Sequence, residues 1–502
     1  MVYYINEART MSIIPRTMST QHPDNVKMPF FASSSVISGE DEILEAYLAF
    51  SQLGCQEQMW DFEGKRAIPW VVSELLQKDQ DFFRKKPLGK EVFLTFRIPN
   101  PEIERVEAKL VPEILDSIPR CYDTTQAIYL EDSTPVFEVI LPMTTSVEQL
   151  NRIYYYYQNF VIKKKDLIIA PGNNISVGQW LGEFKPEKID VIPLFEDWSS
   201  LLNTDAIVAD YLKDKELEYQ RVFLARSDPA LNYGTLAAVL LLNIALQRLD
   251  RLEKRIGIPI YPILGVGSPP FRGNFKPTNV ETVTKGYQSC QTFTIQSAFK
   301  YDWPSEVAAA AIRKINSVPR GNPFPVDEEK SNYLIKKAMS AYQEQITEIA
   351  SWANRLTPFL PQRRLRKLHI GLFGYSRSIG KTHLPRAIPF CASLYSVGLP
   401  PELLGLHSLN REDLTAVREV YPSPNFEEDL RDALAFYNPK ALSLLTPKMR
   451  RQIEKSLAIV EFQANVEHQE VTSRIIECVQ QSKTDRLSEL ILEAAQIRKF
   501  LG

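Results

Sequence analysis

A chain of 502 residues, 44% hydrophobic and 24% charged, is long enough to bury a substantial core and has the balance of an ordinary globular protein, not a disordered one. Lysine and arginine number 59 against 61 aspartates and glutamates; the net charge of −2 lacks the basic excess with which nucleic-acid binders neutralise phosphates. Five scattered cysteines, Cys55, Cys121, Cys290, Cys391 and Cys478, show neither zinc-site spacing nor a disulfide framework, and each reads as a buried apolar residue or as a reactive thiol.

Along the chain, Met1–Arg16 is broken by Asn6, Glu7 and Arg9 and has no apolar signal core. The longest apolar run, around Leu236–Leu246, is too short to cross a bilayer, so the expectation is a cytoplasmic protein with no membrane partner. Buried-strand patterns then recur at Val92–Phe96, Val136–Leu141, Leu167–Ala170, Val191–Phe195, Arg221–Leu224 and Ile260–Gly265. Helical patterns lie between them at Ser146–Lys163, Asp205–Glu218 and Tyr233–Arg255. This alternation predicts parallel βαβ units, as a closed barrel or an open sheet. Beyond about Asn279 helix dominates: Ser305–Ile315, Glu328–Leu356, Asp413–Val420, Thr446–Gln463 and Thr472–Lys499. The expected fold is α/β, a (β/α)8 TIM-type barrel with a large additional α-helical complement. It forms one catalytic domain over 1–502, with barrel strands mainly within 15–300 and helices after. The helices are the expected surface for subunit contacts.

Polar clusters fall where strands should end, the face on which barrels place their chemistry. In Thr17–Asn25, His22 precedes a proline in a Ser/Thr-rich turn; it is a titratable group on a stiff backbone or a surface residue in a capping turn. Glu196 and Asp228 each follow an apolar strand. Together they form a pair able to hold a hard divalent cation, or separately they cap the next helices. The Gly- and Pro-rich stretch Leu264–Gly273 carries Arg272 and reads as an anion-binding loop or a connecting turn, without the ending of a Walker loop. Arg377 and Arg386 sit among small and apolar residues, and Arg97 stands at another strand end. Each pairs either with an anionic substrate or with an internal carboxylate. Together these residues describe a site for a small, multiply negative substrate without selecting a reaction.

The stretch Thr17–Asn25 resembles the signature of archaeal-type phosphoenolpyruvate carboxylases. So do Met59-Trp-Asp-Phe-Glu-Gly-Lys65, Gly267-Ser-Pro-Pro-Phe-Arg272-Gly273, Phe293–Phe299, Gly374-Tyr-Ser-Arg377, Pro400-Pro-Glu402 and the C-terminal Ile497–Gly502. The resemblance implies a carboxy-lyase that makes oxaloacetate from phosphoenolpyruvate and bicarbonate, with magnesium (manganese as substitute) and a homotetrameric assembly. Carried over residue by residue, it implies His22 as base and Glu196 and Asp228 as metal carboxylates. Arg272 becomes a catalytic arginine on a flexible loop beside substrate-binding Gly273. Arg377 and Arg386 become arginines for phosphate and carboxylate, Arg97 a further substrate arginine, and Trp60 a bicarbonate contact. The longer enzymes of the family have a lysine where this chain has Leu231, and two arginines and a histidine where Gly265–Gly273 has only Arg272, so their allosteric site is not carried over. A barrel carbon–carbon lyase and a non-catalytic anion-binding scaffold are the rival readings.

Overall fold

A computed structural model describes residues 14–63, 70–129, 133–365, 378–379, 382–422 and 426–502. Eight strands close a parallel barrel: β1 (Thr17–Ser19), β2 (Glu57–Asp61), β3 (Phe93–Arg97), β4 (Glu138–Leu141), β7 (Asp190–Phe195), β8 (Gln220–Ala225), β9 (Ile260–Gly265) and β10 (Thr292–Ile295). Closure is made by β1, which pairs with β10 through Thr17↔Phe293 and with β2 through Met18↔Glu57. The expected strands from Val92, Val136, Val191, Arg221 and Ile260 are all barrel strands. Leu167–Ala170 is not: β5 (Ile168–Ala170) pairs only with β6 (Asn173–Ser176), in an antiparallel hairpin outside the barrel. The strands β1, β2 and β10 escape an apolar-run search because polar residues interrupt them. Glu57 and Asp61 in β2 and Thr292 and Thr294 in β10 face the interior, and Thr17 and Ser19 flank the inward Met18 in β1.

Those interior positions are layered. At the N-terminal ends of the strands, the fully buried Arg221 guanidinium forks onto Glu57 (2.7 and 2.8 Å) and reaches Glu138 at 2.7 Å and Thr292 at 3.2 Å. Burial opposes this charge, but Glu57 and Glu138 outweigh it and raise the Arg221 pKa above its ordinary value. Above this knot lies an apolar layer of Met18, Met59, Ile140, Ile192, Leu194, Phe223, Ala225 and Ile263. Polar groups return at the C-terminal ends. Outward residues of the same strands, such as Trp60, Phe96, Val191 and Leu224, join one continuous core with the surrounding helices.

After β10 the chain is mainly helical, with a short antiparallel strand pair, Ser378–Ile379 and Thr382–His383. Glu328–Leu356 runs as expected, capped by the Asp327 side chain on the Lys330 N–H (3.0 Å). The expected single helix Thr472–Lys499 is two, Val466–Gln480 and Leu487–Arg498, because Ser482 takes a positive φ of 53° between them. Four of the five cysteines are buried and all are free. Among the described residues no helix is long and apolar enough to cross a membrane.

Candidate active site

A cavity of about 400 Å³ opens at the C-terminal face of the barrel, and His22, Arg97, Glu196, Asp228, Arg272 and Arg386 all line it. Residues far apart in sequence thus converge where barrel enzymes carry out their chemistry. Arg377 lies outside the described residues.

His22 stands on the turn that follows β1. Its Nδ1 lies 2.9 Å from Thr20 Oγ1, and the turn is anchored around it. Asp24 accepts from the Ala298 N–H (2.7 Å) and from Arg272, while the Val26 N–H donates to both oxygens of Asp302. The opposite wall is carboxylate. Glu196, one residue past β7, is held by the Met143 N–H at 2.8 Å, and Asp228 lies in the first turn of the helix Ser227–Tyr233. Burial and then the Asp228 charge push the Glu196 pKa up to about 8. A buried acid whose ionisation is opposed by burial and a neighbouring carboxylate suits a hard divalent cation, whose charge offsets both. Among the described residues no cluster of three or more histidine, cysteine, aspartate or glutamate side chains forms a metal site. Two carboxylates suit a hard divalent cation that completes its shell with water and substrate oxygens.

The arginines are engaged by acids at the strand ends. Arg97 forks onto Asp61 (2.9 and 2.7 Å) and touches Glu63 at 2.5 Å, and Arg386 binds the other Glu63 oxygen. Burial works against the Glu63 charge, but Arg386 and Arg97 outweigh it and lower its pKa below the ordinary carboxylate value. The internal-carboxylate reading of Arg97 and Arg386 holds, and each also lines the cavity. Asp61 and Glu63 lie within Met59–Lys65 and carry no role from sequence; their signal is a pair of acids at the end of an otherwise buried strand.

Arg272 is 1% exposed and uses all three guanidinium nitrogens: on Ser227 Oγ (3.1 Å), on Asp24 (3.2 Å) and the Gly502 carbonyl (2.7 Å), and on Gln296 Oε1 (2.6 Å). The loop expected to be flexible is held by several contacts in this structure. The segment is folded on itself by Phe275 N–H to Gly267 O (2.9 Å) and Asn274 N–H to Pro269 O (2.9 Å), with Phe271 packed on Phe390. Two expected contacts fail. Gly273 does not line the cavity; at φ 121° it turns the chain where a Cβ would meet Val266 Cγ1 at 2.5 Å. Trp60 points outward with Phe62 and Phe96 into the barrel–helix core, since Met59 and Asp61 take the inward positions.

Beneath His22 lies a second group that sequence reasoning missed. Glu45 accepts from Arg364 (2.6 and 2.7 Å), Lys300 (3.0 Å) and Tyr301 (2.8 Å), all inside the core. Its only signal is a glutamate within the apolar stripe Ile43, Ala46 and Phe50 of the first helix.

A family model described as phosphoenolpyruvate carboxylase matches residues 14–502. A phosphoenolpyruvate carboxylase of Methanothermobacter thermautotrophicus is 50% identical over 489 residues, 97% of this chain and 100% of the relative. Those of Methanospirillum hungatei and Pyrococcus abyssi are 48% and 46% identical, covering 97% and 98% of this chain and 100% of each relative.

Proposed function

Because the chain belongs to the phosphoenolpyruvate carboxylase family, we propose that it carboxylates phosphoenolpyruvate with bicarbonate, irreversibly giving oxaloacetate and phosphate, and so supplies oxaloacetate in the cytoplasm. The observation that carries this reading is one cavity lined by His22, the carboxylate pair Glu196 and Asp228, and six arginines, Arg97, Arg272 and Arg386 among them. Glu196 and Asp228 would hold magnesium, or manganese in its place, whose charge when bound stabilises phosphate and enolate oxygens. Arg272, Arg386 and Arg97 supply positive charge and orientation to the phosphate and carboxylate, the main needs of phosphoryl transfer, and Arg377 is assigned the same role.

Bicarbonate oxygen attacks phosphorus, and the bond from phosphorus to the enol oxygen breaks with its electron pair going to that oxygen. Carboxyphosphate and pyruvate enolate result. His22 takes the carboxyl proton; the carbon–oxygen bond to phosphate then breaks with its electrons staying on phosphate. Carbon dioxide is released beside the enolate, whose carbon attacks it. Purified protein should form oxaloacetate only when phosphoenolpyruvate, bicarbonate and a divalent cation are all present. Cleavage of an oxo-acid without any need for bicarbonate would favour a carbon–carbon lyase, and no turnover of either substrate a binding role.

The homotetramer is part of the same proposal. Support comes from the arm around the β5–β6 hairpin, where Phe160, Leu167, Ile168, Trp180 and Leu181 are each more than half exposed. Trp180→Asp, on a side chain 66% exposed, should leave folding intact and lower the solution mass in sedimentation. An unchanged mass would remove the arm from the interface.

A further inference from the structure

The backbone leading to His22 is held on both sides of Thr20. Its N–H extends the barrel ladder to the Ile295 carbonyl (3.0 Å). Its carbonyl accepts from the buried Lys300 ammonium (2.9 Å), which also binds Ser19 Oγ (3.0 Å) and Glu45 (3.0 Å). Arg364 fixes Glu45 in turn with two contacts, at 2.6 and 2.7 Å. On the far side, the Asp24 N–H closes back onto the His22 carbonyl (3.0 Å) across Pro23. With the backbone set, the fully buried Thr20 hydroxyl meets the His22 ring at Nδ1, 2.9 Å away, out of reach of bulk water.

A ring nitrogen takes a proton only if it carries the lone pair, and the partner of the other nitrogen decides which one does. We propose that Thr20 is a positioning residue that sets the His22 tautomer, its Oγ1 accepting from Nδ1–H so that Nε2 holds the lone pair that receives the carboxyphosphate proton. The proposal rests on the reading of His22 as the base. A hydroxyl suits the task better than a carboxylate would. It accepts from Nδ1–H both before and after proton transfer, so the ring does not turn, and it adds no negative charge that would trap the proton.

Loss of the hydroxyl has a specific consequence. Carboxyphosphate still forms but is deprotonated slowly; water hydrolyses it to phosphate and bicarbonate while the enolate is protonated to pyruvate. Thr20→Val and Thr20→Ala are therefore expected to lower oxaloacetate formation about ten- to hundredfold, the scale seen when a functional histidine loses its orienting partner. Bicarbonate-dependent phosphate release should fall less, so phosphate exceeds oxaloacetate. Thr20→Ser keeps the oxygen and should restore both the rate and equal yields. If the valine variant does not fold, the alanine–serine comparison gives the answer. A parallel fall of both products in Thr20→Ala, or no difference between alanine and serine, overturns the proposal. His22→Asn, run alongside, separates the two readings. If it uncouples phosphate from oxaloacetate while Thr20→Ala does not, only the role of Thr20 fails. If it leaves oxaloacetate formation intact, the base assignment fails and the Thr20 proposal with it.

Discussion

Glu196→Gln is expected to lower cation-dependent oxaloacetate formation about a thousandfold, since a lost metal contact removes several kcal/mol of transition-state stabilisation at 1.4 kcal/mol per tenfold. The amide keeps the shape, and its Oε1 can still accept from the Met143 N–H. What it loses is the charge that burial, and after it Asp228, disfavour, together pushing the Glu196 pKa up to about 8. Stability should therefore move the other way. Without added cation the variant should unfold at a temperature no lower than the parent. Magnesium should stabilise the parent by about 2.7 kcal/mol at a hundredfold excess over its Kd, and the variant hardly at all. A variant that keeps parental activity, or whose melting temperature responds to magnesium as the parent's does, would remove Glu196 from the metal site.

Arg221→Met should leave the cavity untouched and cost about 3–5 kcal/mol of stability, the scale of a buried ion pair stripped of one partner. Glu57 and Glu138 would remain inside the barrel floor without a cation, and burial already holds the Glu138 pKa above its ordinary value with Arg221 in place. The pH dependence fixes the mechanism. An acid whose folded pKa is raised destabilises the protein above its unfolded pKa, and the penalty disappears as pH falls toward that value. The deficit in urea unfolding should thus be larger at neutral pH than near pH 5, and Glu57→Gln with Glu138→Gln should recover part of it. Because the apolar layer around Met59 and Phe223 separates floor from cavity, activity per folded molecule should stay at the parental level. A deficit that does not change with pH would mean lost packing, not stranded charge.

Five barrel strands were legible because most of their buried residues are apolar, enough for a strand pattern even with Thr95, Glu138 and Arg221 among them. The others were not, for a shared reason. Glu57, Asp61, Thr292 and Thr294 look like surface residues until the barrel closes and gives them Arg221, Arg97 and the Val266 backbone as partners. Ile168–Ala170 shows the converse: an apolar run records side-chain chemistry and not what covers it, so an exposed hairpin passes for a core strand. At the site, Glu196 and Asp228 were readable because each follows an apolar strand directly. The period of two also carried a usable warning, since an inward Asp61 forces Trp60 outward. The Lys300–Glu45–Arg364 support joins residues up to 319 positions apart, and no spacing rule reaches that far. The Thr20–His22 contact is local, but it depends on how the turn after β1 folds and not on spacing.

The central claim is that bicarbonate itself attacks phosphorus. Turnover of phosphoenolpyruvate with bicarbonate labelled with oxygen-18 in all its oxygens, stopped before the label exchanges with water, tests it directly. The account predicts one labelled oxygen in the phosphate released and the remaining label in the new carboxylate of oxaloacetate. Phosphate free of label, formed at the same rate as oxaloacetate, would contradict it, because phosphorus would then have been attacked by water.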